Sequence, residues 1–342
     1  MANLINQQIL LKSRPEGEPK ATDFALVETP TTEPGENEVL TRTIYLSLDP
    51  YMRGRMNAGK SYAPSVELNS VMVGSTVSQV VQSNHSQFSE GDFVLGYDGW
   101  QAYGVSNGET LRKLDPDQAP ISYALGILGM PGMTAYFALL DIGQPKSGET
   151  VVVSAAAGAV GSVVGQIAKI KGCHVVGIAG GAEKCNFVVK ELGFDACIDR
   201  KTQEIESALK TNCPDGIDVY FDNTAGAILE AVLQHINLGA RIPLVGLISQ
   251  YNAVDKTPGP DLMPLLVYRA LIKGFLVGDY LSRQEEFLQD VSQWVQSGKL
   301  KYKEDIASGL ENAPNALIGL LQGKNFGKLI VQVSDDPTTS LT

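Results

Sequence analysis

The chain has 342 residues, of which 44% are hydrophobic and 19% charged, and its formal net charge at pH 7 is −11. This length exceeds the size at which one hydrophobic core usually keeps growing, so we expect two domains. The negative charge and the lack of a Lys/Arg run argue against nucleic acid as a partner. No apolar run reaches the length of a membrane span, so we expect no membrane partner either.

The first third of the chain predicts β structure. The segments 38–49, 70–83 and 92–105 are rich in Val, Thr and aromatic residues, and turn clusters at 89–92 and 97–100 bound them. We expect a small antiparallel barrel or sandwich here.

After Gly126 the pattern changes to strands that alternate with helices. The strands are predicted at 150–154, 174–180, 195–199, 216–222, 240–246 and 271–280, and the helices at 159–172, 182–193, 203–211 and 226–237. This alternation is typical of βαβ units and predicts an α/β fold with a parallel sheet covered on both faces. A helix at 283–298 and a strand at 325–334 follow, and we expect the last strand to return to the N-terminal β domain.

The candidate metal ligands are four cysteines and three histidines: Cys173, Cys185, Cys197, Cys213, His85, His174 and His235. They include no Cys-x-x-Cys pair and no set of four close ligands, so we expect no metal site. Reduced thiols are typical of a cytoplasmic protein. The N-terminal stretch MANLINQQILLKSRPEGEP lacks the long apolar segment of a signal peptide, which also favours a cytoplasmic location.

Residues 151–165, VVVSAAAGAVGSVVG, change abruptly from β-branched residues to residues with almost no side chain. A buried strand, a turn without bulky side chains and a helix form the phosphate-binding unit of a dinucleotide fold. The turn is a variant of G-x-G-x-x-G in which alanine replaces the first glycine and Gly158 and Gly161 remain. The alternative is close packing of a helix on a strand, without a ligand.

The end of the second strand indicates which nucleotide binds. An NAD site usually has Asp or Glu there, but this strand ends at Gly180 and Gly181. Lys184 follows, and Arg200 comes after the third strand, where both could bind a 2′-phosphate. We therefore predict NADPH as the cofactor. Two alternatives remain open: the cations are solvated surface charges, or Glu183 binds the ribose hydroxyl.

The chain resembles the medium-chain dehydrogenase/reductase superfamily. The matching stretches are YLSLDPYMRGRM (45–56), GMPGMTAYF (129–137), SAAAGAVGSVVGQIAK (154–169), GFDACID (193–199), YFDN (220–223), VGLISQYN (245–252) and NFGKLIV (325–331). LDPYMR and GMPGMTAYF are specific to its zinc-free branch, which contains leukotriene B dehydrogenase/prostaglandin reductases, 2-alkenal reductases and bacterial curcumin reductases. Within this branch the chain resembles the bacterial curcumin reductases most.

This resemblance implies a GroES-like β domain over residues 1–125, to which 305–342 return, and a Rossmann domain over 126–304. It implies a substrate cleft at their junction. It also implies NADPH-dependent reduction of the carbon–carbon double bond of α,β-unsaturated ketones and aldehydes, without a metal. The partner would then be a small hydrophobic enone.

The resemblance also implies which residues contact the cofactor. These positions are Met130, Thr134, Ala157, Gly158, Ala159, Val160, Gly161, Lys184, Arg200, Asn223, Gly246, Ser249, Tyr251, Phe275, Val277 and Asn325. Where relatives place a tyrosine near the 2′-phosphate, this chain has Arg200, which can still bind phosphate. Asn223 could instead cap the helix that follows it.

Hydride transfer to an enone leaves negative charge on the carbonyl oxygen, so a hydrogen-bond donor there would stabilise the transition state. The candidate donors are Tyr251, at the carboxyl edge of the sheet, and Tyr62, which aligns with a substrate-contacting tyrosine of relatives. Tyr51 and Met52 are predicted to line the substrate pocket. The alternatives are that Tyr251 only forms a wall of the pocket, that Tyr62 is an exposed loop residue, and that the cofactor ribose hydroxyl is the donor.

Two other functions remain open: a quinone oxidoreductase of the same superfamily, and a nucleotide-binding redox sensor without turnover. Relatives often pair through their sixth strands, so the resemblance also implies a homodimer that forms through the segment LIKGFLVGDY at 271–280.

Overall fold

The computed structural model describes residues 4–255 and 258–339. The chain divides into two compact units. The first unit, here called the β unit, comprises the residues up to 125, residues 304–325 and the chain from 329 onwards. The second unit, here called the sheet unit, comprises residues 126–303 and 326–328. Residues 1–3 and 340–342, the outer ends of the predicted β domain, lie outside the described residues.

The N-terminal part of the β unit contains mostly strands. They are β1 (Ile5–Leu11), β2 (Phe24–Pro30), β3 (Val39–Ser47), β4 (Thr76–Ser83), β5 (Phe93–Gly96), β6 (Tyr103–Ser106) and β7 (Arg112–Leu114), with the helix α1 (Tyr51–Arg55) after β3. β1 and β2 form an antiparallel hairpin. The strand predicted at 70–83 begins only at Thr76, because Val71 instead makes an isolated bridge to Leu10 of β1.

The sheet unit alternates strands and helices. Its strands are β8 (Thr150–Ser154), β9 (His174–Ala179), β10 (Ala196–Asp199), β11 (Ile217–Phe221), β12 (Ile236–Leu244) and β13 (Leu271–Gly274). Its helices are α2 (Met130–Phe137), α3 (Gly161–Ile170), α4 (Ala182–Lys190), α5 (Ile205–Asn212), α6 (Gly226–Leu233), α7 (Met263–Val267) and α8 (Gln284–Gln296). All pairings in this sheet are parallel, in the order β10-β9-β8-β11-β12-β13.

The chain then returns to the β unit through β14 (Glu304–Ser308), α9 (Ala313–Leu321) and β15 (Lys328–Gln332). β15 pairs antiparallel with β3, as expected for the last strand, and the sheet order is β14-β15-β3-β4-β5-β7 with β6 also on β3. The core beneath it contains Met52 and Trp100, both fully buried. These two sheets confirm the predicted fold class, a Rossmann-type parallel sheet with a separate GroES-like β domain.

Two of the differences from the predictions have a clear structural cause. The strand predicted at 271–280 ends at Gly274, because the ring of Phe275 packs on Tyr280 at 4.9 Å and the chain coils into a 3₁₀ helix over Val277–Arg283. The helix α2 was not predicted, because seven of its eight residues are buried and it has no polar face to reveal its period. Within residues 4–255 and 258–339, no helix has both the length and the apolarity to cross a membrane.

Candidate cofactor and active site

The turn after β8 reverses direction within six residues. Ala155 adopts a positive φ of 50°, a conformation that alanine rarely takes. The N–H of Ala156 donates to the carbonyl of Ile178 on β9 at 3.0 Å, and the N–H of Gly158 donates back to the carbonyl of Ala155 at 2.9 Å. The backbone thereby closes on itself, and α3 begins at Gly161.

The glycines of this turn have different neighbours. A Cβ on Gly161 would lie 2.4 Å from the carbonyl oxygen of Ala155 and 3.0 Å from Cα of Ala156, so no side chain fits there. A Cβ on Gly158 would meet only the Ala155 oxygen, at 3.2 Å. A Cβ on Gly165 would lie 1.8 Å from the ring of Phe194. Gly161 is therefore required by the turn, and Gly165 by the close packing of α3 on its neighbour.

The turn leads directly into the N-terminus of α3, a helix of ten residues whose N-cap residue, Val160, supplies no side-chain cap. The N–H groups of Ser162 and Val163 already donate to the carbonyls of Gly158 and Val160, so the donors for an anion would come from the turn before them, and the helix dipole favours an anion there. Ala157 and Ala159 flank Gly158 with side chains of a single carbon. The residues present therefore fit a pyrophosphate held by main-chain N–H groups.

A second loop lies at the end of β9. Gly181 has a φ of 104°, and its N–H donates to Oδ1 of Asp199 at 2.7 Å. The N–H of Lys201 donates to the same oxygen, and these backbone hydrogen bonds hold the pKa of Asp199 below its ordinary value. The sequence predictions overlooked Asp199. Its carboxylate positions this loop by accepting hydrogen bonds from main-chain N–H groups.

The two predicted phosphate ligands lie near this loop. The N–H of Arg200 donates to the carbonyl of Ala179 at 2.9 Å, and its Nε lies 3.4 Å from where a Cβ on Gly180 would be. Lys184 lies in the first turn of α4, which begins directly after Gly181. The structure thus places Arg200 beside the loop that ends β9 and Lys184 on the helix that follows the loop.

A third group of predicted residues lies where the strand order reverses, between β8 and β11. The backbone N–H of Asn223 donates to Oγ of Ser154 and its side-chain amide donates to the carbonyl of Ser154, both at 2.8 Å. Asn223 does not cap α6, since the N-cap of that helix is Ala225 and has no side-chain cap. The alternative role for Asn223 is therefore wrong.

Asp222 holds this corner together, and the sequence predictions overlooked it. It is fully buried, and its Oδ1 accepts from the hydroxyl of Tyr220 at 2.9 Å and from the N–H groups of Thr224 and Ala225 at 2.9 and 2.8 Å. Burial raises its pKa. The hydrogen bond to Ala225 fixes a residue with φ 56° and ψ −153°, a region that non-glycine residues rarely enter.

The loop after β12 packs on this corner. Gly246 donates its N–H to the carbonyl of Asp222 at 3.2 Å, and a Cβ on Gly246 would lie 2.8 Å from the carbonyl oxygen of Asn223. Ser249 donates its hydroxyl to the carbonyl of Thr224 at 2.6 Å. The predicted positions Asn223, Gly246 and Ser249 are thus brought together at the carboxyl edge of the sheet, where ligands of this fold class bind.

Tyr251 closes the same loop. Its phenol oxygen lies 3.5 Å from the N–H of Leu247, and burial raises the pKa of the phenol. The side chain is therefore protonated at neutral pH and can donate its O–H to an oxygen of a ligand.

The remaining cofactor positions are dispersed. Thr134 and Met130 lie one turn apart on α2, with Oγ1 of Thr134 3.7 Å from the Met130 sulfur. Phe275 is buried and donates its N–H to Leu244 at 3.0 Å, and Val277 begins the next 3₁₀ helix. Asn325 is the last residue of its segment in the β unit.

Residues 326–328 belong to the sheet unit, although the prediction placed them in the β domain. The N–H of Gly327 donates to the carbonyl of Ala157 at 3.1 Å, and the rings of Phe326 and Phe187 meet edge to face at 4.8 Å. These contacts place the segment beside the glycine turn.

Three of the predicted substrate residues, Tyr51, Met52 and Tyr62, lie in the β unit, whereas Tyr251 lies in the sheet unit. Tyr62 is 64% exposed, whereas Met52 is fully buried behind Gly74 and Trp100. Tyr51 is half-buried. Burial raises the pKa of its phenol, and interactions with Tyr97 and Tyr62 add to this increase. Tyr97 was not predicted as a site residue. It is 61% exposed.

Among residues 4–255 and 258–339, no three His, Cys, Asp or Glu side chains lie close enough together to hold a metal ion.

Comparison with known proteins identifies the family. A model described as the N-terminal domain of oxidoreductase matches residues 7–114, and one described as zinc-binding dehydrogenase matches 159–297. The chain is 52% identical over 337 residues to NADPH-dependent curcumin reductase of Escherichia coli, an alignment that covers 97% of this chain and 98% of that protein. The chain belongs to the medium-chain dehydrogenase/reductase superfamily.

Other members of the superfamily are similarly complete matches. A 2-alkenal reductase (NADP(+)-dependent) of Nicotiana tabacum is 44% identical, with 96% of this chain and 98% of that protein covered. The crystal structure of CurA in complex with NADPH from Vibrio vulnificus is 53% identical and covers 96% of this chain and 100% of that one, with a TM-score of 0.93. The resemblance inferred from the sequence motifs is confirmed.

Proposed function

We propose that the protein reduces the carbon–carbon double bond of α,β-unsaturated ketones and aldehydes with NADPH. One observation carries the NADPH part of the proposal: the carboxyl edge of the parallel sheet combines a turn without bulky side chains at 155–161 with the cations Lys184 on α4 and Arg200 directly after β10. Full-length relatives are described as NADPH-dependent curcumin reductase, NADP(+)-dependent 2-alkenal reductase and (+)-pulegone reductase, which supports the same substrate class.

Each loop at this edge has a defined task in the proposal. The main chain over 157–161 holds the pyrophosphate, because its side chains, apart from that of Val160, are no larger than a methyl group. Arg200 and Lys184 bind the 2′-phosphate, and the planar guanidinium provides paired donors for it. Asn223, which is fixed to Ser154 by two hydrogen bonds, forms part of the wall near the switch in strand order.

When bound, NADPH supplies the hydride that the β-carbon of the substrate accepts. Negative charge then develops on the carbonyl oxygen, and the protonated phenol of Tyr251 donates a hydrogen bond to this oxygen. A donor of this kind contributes roughly 3 kcal/mol to the stabilisation of the transition state, or about 100-fold in rate. Tyr62 is the second candidate for this role.

The substrate is a small hydrophobic enone. Tyr62 is 64% exposed and Tyr51 is half-buried, so both rings have area left for apolar contact, whereas Met52 is fully buried in the core. Aromatic side chains bind flat, conjugated molecules well because the large ring faces stack on them.

The assembly is a homodimer that forms through β13, the last strand in the sheet order of the described residues. Leu271 is 48% exposed on this strand, and Leu266 and Val267 are 74% and 54% exposed on α7 nearby in the sequence. An apolar edge strand of this kind favours pairing with a second copy. Light scattering of the purified protein should give twice the chain mass, and Ile272→Lys should reduce it to the monomer.

The location is cytoplasmic. The four cysteines Cys173, Cys185, Cys197 and Cys213 are all free thiols, which are typical of a reducing compartment.

The function is tested by anaerobic oxidation of NADPH with enones of increasing length. We expect turnover with an alkenone and a product heavier by two hydrogens, with NADH a much poorer reductant. A naphthoquinone serves as the comparison substrate. If the quinone is reduced and no enone gains hydrogen, the proposal is wrong.

A further inference from the structure

We propose that Cys185 and Cys197 form an oxidisable dithiol site, which low-molecular-weight disulfides convert to an intramolecular disulfide. We further propose that this conversion weakens binding of the cofactor's 2′-phosphate. The second part rests on the proposed function, whereas the first depends only on the two thiols.

The two sulfurs are already in contact. The thiol of Cys197 on β10 donates to the sulfur of Cys185 on α4 at 3.0 Å. A disulfide bond is about 2.05 Å long, so closure requires an approach of about 1 Å. Both residues are half-buried and thus partly open to solvent, whereas Cys173 and Cys213 are buried. The contact between the sulfurs and their partial exposure distinguish this pair from the two enclosed thiols.

The fold leaves room for this pair. Cys197 pairs in register with Gly177 on β9, which has no side chain. The helix α4 packs against the same strand, with Val188 3.0 Å from where a Cβ on Gly177 would be. Because glycine occupies this position, α4 lies close to the sheet and Cys185 in its first turn reaches the neighbouring strand.

The pair lies between the two segments that carry the predicted phosphate ligands. Cys185 directly follows Lys184, and its N–H donates to the carbonyl of Gly181 at 3.1 Å. Cys197 precedes Asp199 by two residues on β10, and Asp199 accepts from the N–H of Gly181. A bond between the sulfurs would pull the first turn of α4 towards β10 and so move Lys184 relative to the loop.

The oxidation is balanced as two thiol–disulfide exchanges. The thiolate of one cysteine attacks the disulfide RSSR, which forms a mixed disulfide and releases the first RSH after protonation. The second cysteine attacks the mixed disulfide, forms the bond between Cys185 and Cys197 and releases the second RSH. The two protein thiols lose two electrons and two protons in total, and RSSR gains both.

Burial raises the pKa of both thiols. Little thiolate is therefore present at neutral pH, and the first exchange is the slow step. We expect closure over minutes to hours. The second exchange is fast in comparison, because the sulfurs already touch.

The first experiment treats the full-length protein with oxidised glutathione. We expect the number of free thiols to fall from four to two, the mass to fall by two hydrogens, and a peptide that contains both Cys185 and Cys197 to appear after digestion. Cys185→Ser and Cys197→Ser should each prevent this link. Cys173→Ala, which removes a buried thiol at the opposite end of β9, should still form it. If no link forms in the wild-type protein, the dithiol site does not exist.

The second experiment titrates the reduced and the oxidised protein with NADPH and with NADH. Because Lys184 would shift by a fraction of the 1 Å closure, we expect the Kd for NADPH to rise about tenfold on oxidation and the Kd for NADH to change less than about twofold. Dithiothreitol should restore the first value. A linked protein with an unchanged NADPH affinity would disprove the coupling. If the reduced protein does not bind NADPH, the proposed function is wrong. The dithiol proposal is unaffected by that result, because the mass and the number of free thiols test it separately.

Discussion

Gly161→Ala tests the glycine turn at the position in it that has the least room for a side chain. The added methyl would lie 2.4 Å from the carbonyl oxygen of Ala155, about 1 Å closer than an ordinary contact, and its other close neighbours are also backbone atoms. None of them can rotate away, so the cost lies near the upper end of the overpacking range, about 3 kcal/mol. Alanine gains up to about 1 kcal/mol over glycine in a helix. We therefore expect the free energy of unfolding to fall by about 2 kcal/mol.

The same displacement should weaken cofactor binding. To accept the methyl, the turn must open by about 1 Å, which moves the main-chain donors away from the pyrophosphate, and we expect the Kd for NADPH to rise at least about tenfold. Urea denaturation gives the stability and isothermal titration gives the Kd. Gly158→Ala is the matched control, because its methyl would meet a single atom at 3.2 Å, so its stability should change by less than about 1 kcal/mol. If Gly161→Ala is as stable as the control and binds NADPH as tightly as wild type, the role of this glycine is wrong.

Three further predictions concern the binding edge and the packing behind it. Arg200→Ala and Lys184→Ala should each raise the Kd for NADPH about tenfold and leave the Kd for NADH within about twofold, because only NADPH carries the 2′-phosphate; equal effects on both cofactors in a titration would contradict this role. Tyr251→Phe should lower kcat/KM by about 100-fold with KM for NADPH little changed. Because burial raises the pKa of this phenol, the phenol should keep its proton at pH 10, about the ordinary tyrosine value, and the wild-type rate should not fall there for this reason. A fall in rate near pH 10 that is present in the wild type and absent in Tyr251→Phe would contradict this. Gly165→Ala should lower the free energy of unfolding by about 3 kcal/mol, because its methyl would overlap the ring of Phe194; a paired Phe194→Leu variant should recover part of the loss in the same urea denaturation.

The sequence was sufficient for the parallel sheet because its strands and helices have strong local patterns. The run VVVS at 151–154 lies in a fully buried strand. The helix α3 lies within 159–172, a segment whose apolar residues have helical spacing. It was insufficient for α2, because a helix that is buried on all sides has no polar face. The end of β13 was also misplaced, because the ring contact between Phe275 and Tyr280 redirects the chain after Gly274.

The candidate site likewise has some features that the sequence predicts and others that only the folded structure shows. The motif at 155–161 and the cations Lys184 and Arg200 are visible in the sequence, because each has a characteristic position relative to a strand end. The sequence gives equal weight to Gly158 and Gly161, and only the folded turn shows that the carbonyl of Ala155 excludes a side chain at position 161. The roles of Asp199 and Asp222 were missed, because a carboxylate that accepts main-chain hydrogen bonds leaves no spacing pattern.

By itself, therefore, the sequence determined the fold class, the family and the alternation of strands and helices in the parallel sheet, since periodicity and local motifs act over a few residues. The tertiary structure alone decided that Cys185 meets Cys197, that Asn223 binds Ser154 and that Gly327 lies against Ala157. The physical reason is that these residues come from separate segments of the chain. Parallel strands bring their carboxyl ends to one edge, and which side chains touch there depends on register and packing that no short stretch encodes.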